Sequence, residues 1–247
     1  MNCLFKAGRR VLLVLLVISM LLSVASGEIA EPEPAVESAR ERMIAQILDA
    51  AHDQYVQTGG KLRRAQYSGD IYICKNFTVY CFKQAAPHYA MAEYPDVRLV
   101  IPDNLPSKEC KEYKYGYKWK DVSADKGNPF VEAAVFRYDD KLSKQENREL
   151  AREFMQQAKR GDFFQMRADY YWGVGAHSMI FTEDYDAETD KVTWCDSNMR
   201  GEKRNGIRFG CVQWNATEKI DWFVDAFCRK KFGATIYRLR DDIMDKE

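Results

Sequence analysis

The chain has 247 residues, with 37 Lys and Arg set against 37 Asp and Glu, and 46% of its residues are hydrophobic. That much apolar material supports one domain with a real core and excludes a disordered or low-complexity chain. The balanced charge gives no electrostatic case for binding nucleic acid.

Taken in order, Met1 to Arg10 carries Lys6, Arg9 and Arg10 and no acid. Val11 to Ala25 is almost wholly apolar, and Ala25-Ser26-Gly27 supplies small residues. This order predicts a secretory signal peptide over residues 1–27, cleaved after Gly27. An uncleaved anchor would need about 20 apolar residues, and the run is shorter. The expected product is therefore a secreted, extracytoplasmic protein without stable membrane insertion.

Residues 28–60 read as a leader and a packing helix. Glu28 to Glu37 is acidic and holds Pro32 and Pro34. Met43, Ile44, Ile47, Leu48, Ala51 and Tyr55 then fall on one helical stripe, closed by Gly59-Gly60. Residues 61–240 form the main domain. Ile71-Tyr72-Ile73 leads into a second helix over Cys74 to Ala86. Phe77, Cys81 and Ala85 line one stripe of it and Val79, Phe82 and Ala86 the next, and Pro87 stops it.

An insertion is expected over about 87–138. It contains the basic aromatic run Lys108 to Lys120, which fits either an exposed edge hairpin or a surface for anionic polymers and sugars. Ser143-Lys144-Gln145-Glu146 is a capping box opening a helix to about Lys159, with Gly161 after it. Strands follow over 162–167, 175–182, 191–198, 207–214 and 234–239, with a polar turn at 200–206. Thr217 is placed to cap a helix running to Lys231, and 241–247 reads as a tail. Helices early and strands late predict an α+β fold with an antiparallel sheet.

The chemistry centres on Gly175-Ala176-His177-Ser178-Met179-Ile180-Phe181-Thr182 and Lys191-Val192-Thr193-Trp194-Cys195-Asp196-Ser197-Asn198. A hairpin pairing Thr182 with Lys191 sets His177 directly opposite Asp196, with Asn198 on the same face. A histidine facing an acid and an amide is a base with its orienting group attached; Asp196 and Asn198 are rival orienters. The nucleophile it needs is best supplied by Cys74, because a thiol at a helix N-terminus beside an imidazolium is acidified.

The other candidates compete less well. Cys81 lies inside its helix, and Cys195 points to the opposite face. Cys110 and Cys228 have no legible setting, and Cys211 is a candidate bridge to Cys195. His52 sits on an exposed helix, and His88 lies ~20 Å from the Cys74 end of its helix. Ser68, Ser178 and Ser197 lack a nucleophile-elbow context. No Cys-x-x-Cys pair points to zinc, and neither metal nor cofactor is expected. Asn76-Phe77-Thr78 and Asn215-Ala216-Thr217 match a glycosylation pattern.

Cysteine at a helix start, then histidine on a strand, then Asp or Asn on the next, resembles the papain-like cysteine hydrolases. Three local features are similar to the secreted NlpC-like and CHAP (cysteine, histidine-dependent amidohydrolase/peptidase) domains of bacteria. They are Cys74-Lys75-Asn76-Phe77, Gly161-Asp162-Phe163-Phe164, and Gly175-Ala176-His177 followed by Asp196-Ser197-Asn198. The chain departs from the CHAP pattern in having Asp196 where Glu is usual, and in the long separation between Cys74 and His177.

The resemblance implies a papain-like fold and amide hydrolysis through a thioacyl-enzyme on Cys74. His177 would be the base, and Asp196 or Asn198 would hold it. The Cys74 N–H would serve as one oxyanion donor, with Gln66 or Tyr67 as candidates for a second. Peptidoglycan or a peptide is the implied substrate. Two other functions stay open: a peptidase or acyltransferase acting on other proteins, and an inactive papain-fold binding module with Cys74 locked in a disulfide.

Overall fold

A computed structural model describes residues 37–61, 63–65, 71–101, 126–170, 173–204 and 207–246. The expected signal peptide, Gln66, Tyr67, Cys110 and the Lys108 to Lys120 run lie outside the described residues. In chain order the elements are α1 (Ala39–Thr58), β1 (Arg63–Ala65), α2 (Cys74–Ala85), β2 (Tyr89–Met91), β3 (Phe130–Arg137), α3 (Lys144–Met155), β4 (Phe163–Tyr170), β5 (Gly173–Phe181), β6 (Lys191–Arg204), β7 (Ile207–Lys219), α4 (Ile220–Arg229), β8 (Gly233–Leu239) and β9 (Ile243–Asp245). The class is mixed α+β. One antiparallel sheet has the order β1-β7-β6-β5-β4-β8-β3, and β2 pairs with β9 apart from it.

Both faces of the sheet are covered, which explains why its central strands are apolar in runs rather than in strict alternation. On β4, Phe163 points to one side and Phe164 to the other. Phe163, Ile180, Cys195, Val212 and Tyr237 pack with the buried stripes of α1 and α2. Phe164, Met166, Met179, Phe181 and Ile236 pack with α3 and α4. Each fully buried Phe contributes roughly 1.5–3 kcal/mol, so the two cores hold the sheet between them. Phe82, Phe130 and Phe163 mesh in the first, with centroids 5.1–6.4 Å apart.

The helix ends follow their local chemistry. Ser38 caps α1 by accepting from the Glu41 N–H, and Gly59 ends it in the left-handed region at φ 64°. The Ser143–Glu146 capping box is present in both directions. The helix it opens ends at Met155, short of Lys159, and Gly161 takes φ 85° in the following turn, where Ile44 packs over it.

Several expectations differ from the structure. Thr217 does not cap a helix; it pairs with Thr193 inside β7, and α4 starts at Ile220 behind Lys219, which makes no side-chain cap. The long β6–β7 ladder takes Thr217 first, and the Ile220 N–H is satisfied by the Asp190 carbonyl at 3.1 Å. Residues 200–204, expected as a turn, continue β6 after a register shift between Arg200 and Lys203. Within the region read as an insertion at 87–138, β3 forms an edge of the main sheet beside β8. The 241–247 tail contains β9, paired with β2. No helix among the described residues is long and apolar enough to cross a membrane.

Candidate active site

Cys74 is the first residue of α2. Ile73 stands at the N-cap in extended conformation (φ −98°, ψ 122°) and offers no side-chain cap; the first helical bond is from the Phe77 N–H to the Ile73 carbonyl. An apolar residue at this position leaves first-turn N–H groups open and lets the helix dipole act on whatever anion sits there. The acceptor placed there is the Cys74 sulfur, which meets the Lys75 N–H and, across from β5, the Ser178 N–H. Tyr72 approaches β7 closely at Gly210, where a Cβ would come within 2.3 Å of the Tyr72 Cβ, so glycine permits the approach.

His177 lies on β5 and is 5% exposed; Asp196 lies on β6 and is 2% exposed. Their contact is a 2.7 Å hydrogen bond between Nε2 and Oδ2. With Nε2 donating to the acid, Nδ1 is left to meet the hydrogen-bonded Cys74 thiol. The register differs from the direct opposition expected. Met179 stands opposite Asp196, and the Thr182 N–H bonds to Thr193 rather than pairing with Lys191. After Phe181 the chain detours, sending the Tyr185 N–H to the Ala158 carbonyl before Asp186 and Lys191 close the turn. This shift of two residues keeps His177 and Asp196 on one face, whereas a shift of one would have separated them. The imidazole reaches the carboxylate diagonally.

Asn198 is not the residue that takes Nε2; it donates its Nδ2–H to the same Asp196 Oδ2 at 3.1 Å. Trp194 donates its indole N–H to that oxygen too, at 3.1 Å. Trp194 was not among the residues picked from the sequence, although its position two residues before Asp196 puts it on the same strand face. Behind the site the Ser178 hydroxyl donates to the buried Gln165 Oε1 at 2.5 Å, pinning the residue whose N–H meets the thiol.

The electrostatics single out Cys74. Burial alone would push its thiol up. The hydrogen bond and charge of His177, with the Ser178 and Lys75 N–H groups, outweigh burial and hold it below its ordinary value. Burial would likewise push His177 down, but the Asp196 hydrogen bond and the Cys74 contact hold the imidazole well above its ordinary range. Burial pushes Cys81, Cys195 and Cys228 the other way. None of the five described cysteines is in a disulfide, so the candidate Cys195–Cys211 bridge is not formed. Cys211 instead faces the Gly60 carbonyl at 3.1 Å, and its ladder partner is Asn198. The described residues hold no cluster of His, Cys, Asp and Glu able to take a metal.

In the Asn76–Thr78 glycosylation pattern the Thr78 hydroxyl is buried and donates to the Lys75 carbonyl at 3.0 Å. The exposed pattern is the one at Asn215, a residue with φ 51°.

One substitution follows directly from the uncapped helix start. Ile73→Asp supplies an acceptor that competes with the thiolate for the Lys75 N–H and adds a like charge beside it. Alkylation of Cys74 by iodoacetamide at neutral pH is expected to slow by roughly tenfold. The urea midpoint should hold or rise, a new N-cap being worth about 1 kcal/mol. Unchanged alkylation would show that the helix start does not act on the thiol.

Comparison with family models, with curated proteins and with solved structures finds no match to this chain.

Proposed function

We propose that the chain is a secreted cysteine amidohydrolase or peptidase with a papain-like arrangement, acting on amide bonds of peptidoglycan. The observation that carries it is the continuous line from Cys74 through His177 to Asp196, in which His177 favours ionisation of the thiol and Asp196 favours protonation of the imidazole. Chain order supports the papain-like reading: the cysteine opens a helix, and the base and acid follow on adjacent antiparallel strands. The peptidoglycan substrate and the secreted location rest on the resemblance to NlpC-like and CHAP domains and on the signal-like N-terminus.

In this mechanism the Cys74 thiolate attacks the amide carbonyl carbon, and the carbonyl electron pair moves onto oxygen. The open Cys74 N–H at the start of α2 is one donor to that oxyanion; removing such a donor typically costs about 10²–10³ in kcat. Collapse breaks the C–N bond, and His177 gives its proton to the leaving amine. His177, now neutral, takes a proton from water as the hydroxyl oxygen attacks the thioester, and the thiolate leaves with the acid formed. Asp196 keeps Nε2 engaged throughout, so Nδ1 always faces the reacting atoms.

The test is turnover of purified sacculi against casein by the protein lacking residues 1–27. Release of new amines from sacculi but not from casein is the expected result. Turnover of casein alone would transfer the site to a protein-directed peptidase. No turnover of either, with iodoacetamide failing to label Cys74 at neutral pH, would remove the hydrolase reading.

A further inference from the structure

We propose that Trp194 is a positioning residue for the Cys74–His177–Asp196 line: its indole N–H fixes which oxygen of Asp196 faces the imidazole. The inference rests on the hydrolase reading above. A carboxylate turns about a broad, roughly two-fold torsion, so its two oxygens are interchangeable unless the surroundings distinguish them. Here they are sharply distinguished. His177 Nε2, Trp194 Nε1 and Asn198 Nδ2 all converge on Oδ2 at 2.7, 3.1 and 3.1 Å. Oδ1 is buried and has no partner among the described residues.

The two supporting donors come from positions two before and two after Asp196 on one strand face, so they flank the carboxylate from both sides along β6. They are not equally anchored. Asn198 is a half-buried amide on a flexible stem, whereas the Trp194 ring stands edge-on to Phe223, with centroids 5.5 Å apart and planes at 79°. Phe223 is fully buried in α4 and packs against Phe164 and Phe227. The indole thus transmits the rigidity of the second core to a carboxylate whose other donors are its reacting partner His177 and the half-buried Asn198 amide. Convergent N–H donors also share the charge of Oδ2, which keeps Asp196 from drawing the proton fully off Nε2.

The experiment reads the thiol directly and needs no substrate. The rate of Cys74 alkylation by iodoacetamide is followed from pH 4 to 10 in the wild type, Trp194→Phe and His177→Ala, alongside thermal melting. Trp194→Phe keeps an aromatic ring on the Phe223 side and removes the N–H, together with part of the bicyclic ring. The expected result is an acid limb moved to higher pH by about one unit, with about tenfold slower alkylation along that limb. On whichever amide substrate is turned over, kcat should fall by a similar factor with KM unchanged. A Trp194→Phe profile superimposable on the wild type would overturn the positioning role.

If Trp194→Phe melts early, benzothienylalanine at position 194 decides. It has the indole outline with sulfur in place of the N–H, so the same shift supports the proposal and a wild-type profile ends it. Failure of the underlying reading looks different. In that case His177→Ala leaves the wild-type profile unmoved, whatever position 194 does.

Discussion

His177→Gln is expected to lower hydrolysis by roughly 10²–10⁴-fold, the range general acid–base groups contribute, while leaving the protein folded. Glutamine is the informative replacement because the contact to Asp196 is made through Nε2. Its amide N–H can reach the same Oδ2, so the buried carboxylate keeps a third donor beside Trp194 and Asn198, which an alanine variant would remove. What glutamine cannot do is carry a charge beside the thiol or pass a proton to the leaving amine. Cys74 should then return toward an ordinary or raised thiol, because the burial that opposes its ionisation remains while the imidazolium is gone.

The pH dependence has a defined sign. In the wild type, activity is expected to rise as pH climbs through the depressed Cys74 value and the thiolate forms. It falls as pH climbs further through the raised His177 value and the imidazolium is lost. In His177→Gln the alkaline fall disappears and the acid limb moves up. A bell-shaped profile retained in His177→Gln would assign both limbs to other groups.

Phe164→Ala is expected to destabilise the fold by about 3–5 kcal/mol, the usual cost of deleting a buried aromatic. Phe164 is fully buried on the α3–α4 side of β4, within 5.2–6.4 Å of the rings of Phe154, Phe181, Phe223 and Phe227. Four neighbouring rings cannot all close on one void, so much of the cavity persists. The urea midpoint should fall sharply with the slope of the transition unchanged. A loss under 1 kcal/mol would mean that the second core repacks freely.

What was legible in the sequence was whatever depends on short-range pattern. The Met43–Ile44–Ile47–Leu48–Ala51 stripe, the Ser143–Glu146 box and Cys74 at a helix start are each set by residues three or four apart, and the structure has all three. The shared face of His177 and Asp196 was legible because strand parity survives any even shift of register. The register itself was not, since Thr182 carries the β5–β6 ladder on to Thr193 and the chain then turns so that Tyr185 meets Ala158, which no local pattern encodes. β3 and β9 escaped notice for the same reason: each is defined by a partner far away in the chain. Asn198 and Trp194 have the same strand parity as Asp196, yet only the geometry shows them serving the acid rather than the base.

Cys74 belongs to a helix layer, while His177 and Asp196 belong to the sheet it packs on, so the thiol–imidazole contact exists only while those layers are docked. Sliding α2 by even a fraction of a turn against β5 would part the thiol from the imidazole with every hydrogen bond of both elements intact. Chemistry at Cys74 is therefore a gauge of how the layers are seated. It would fade before any spectroscopic sign of unfolding, so loss of reactivity in a variant far from the site would report a shifted interface rather than a damaged residue.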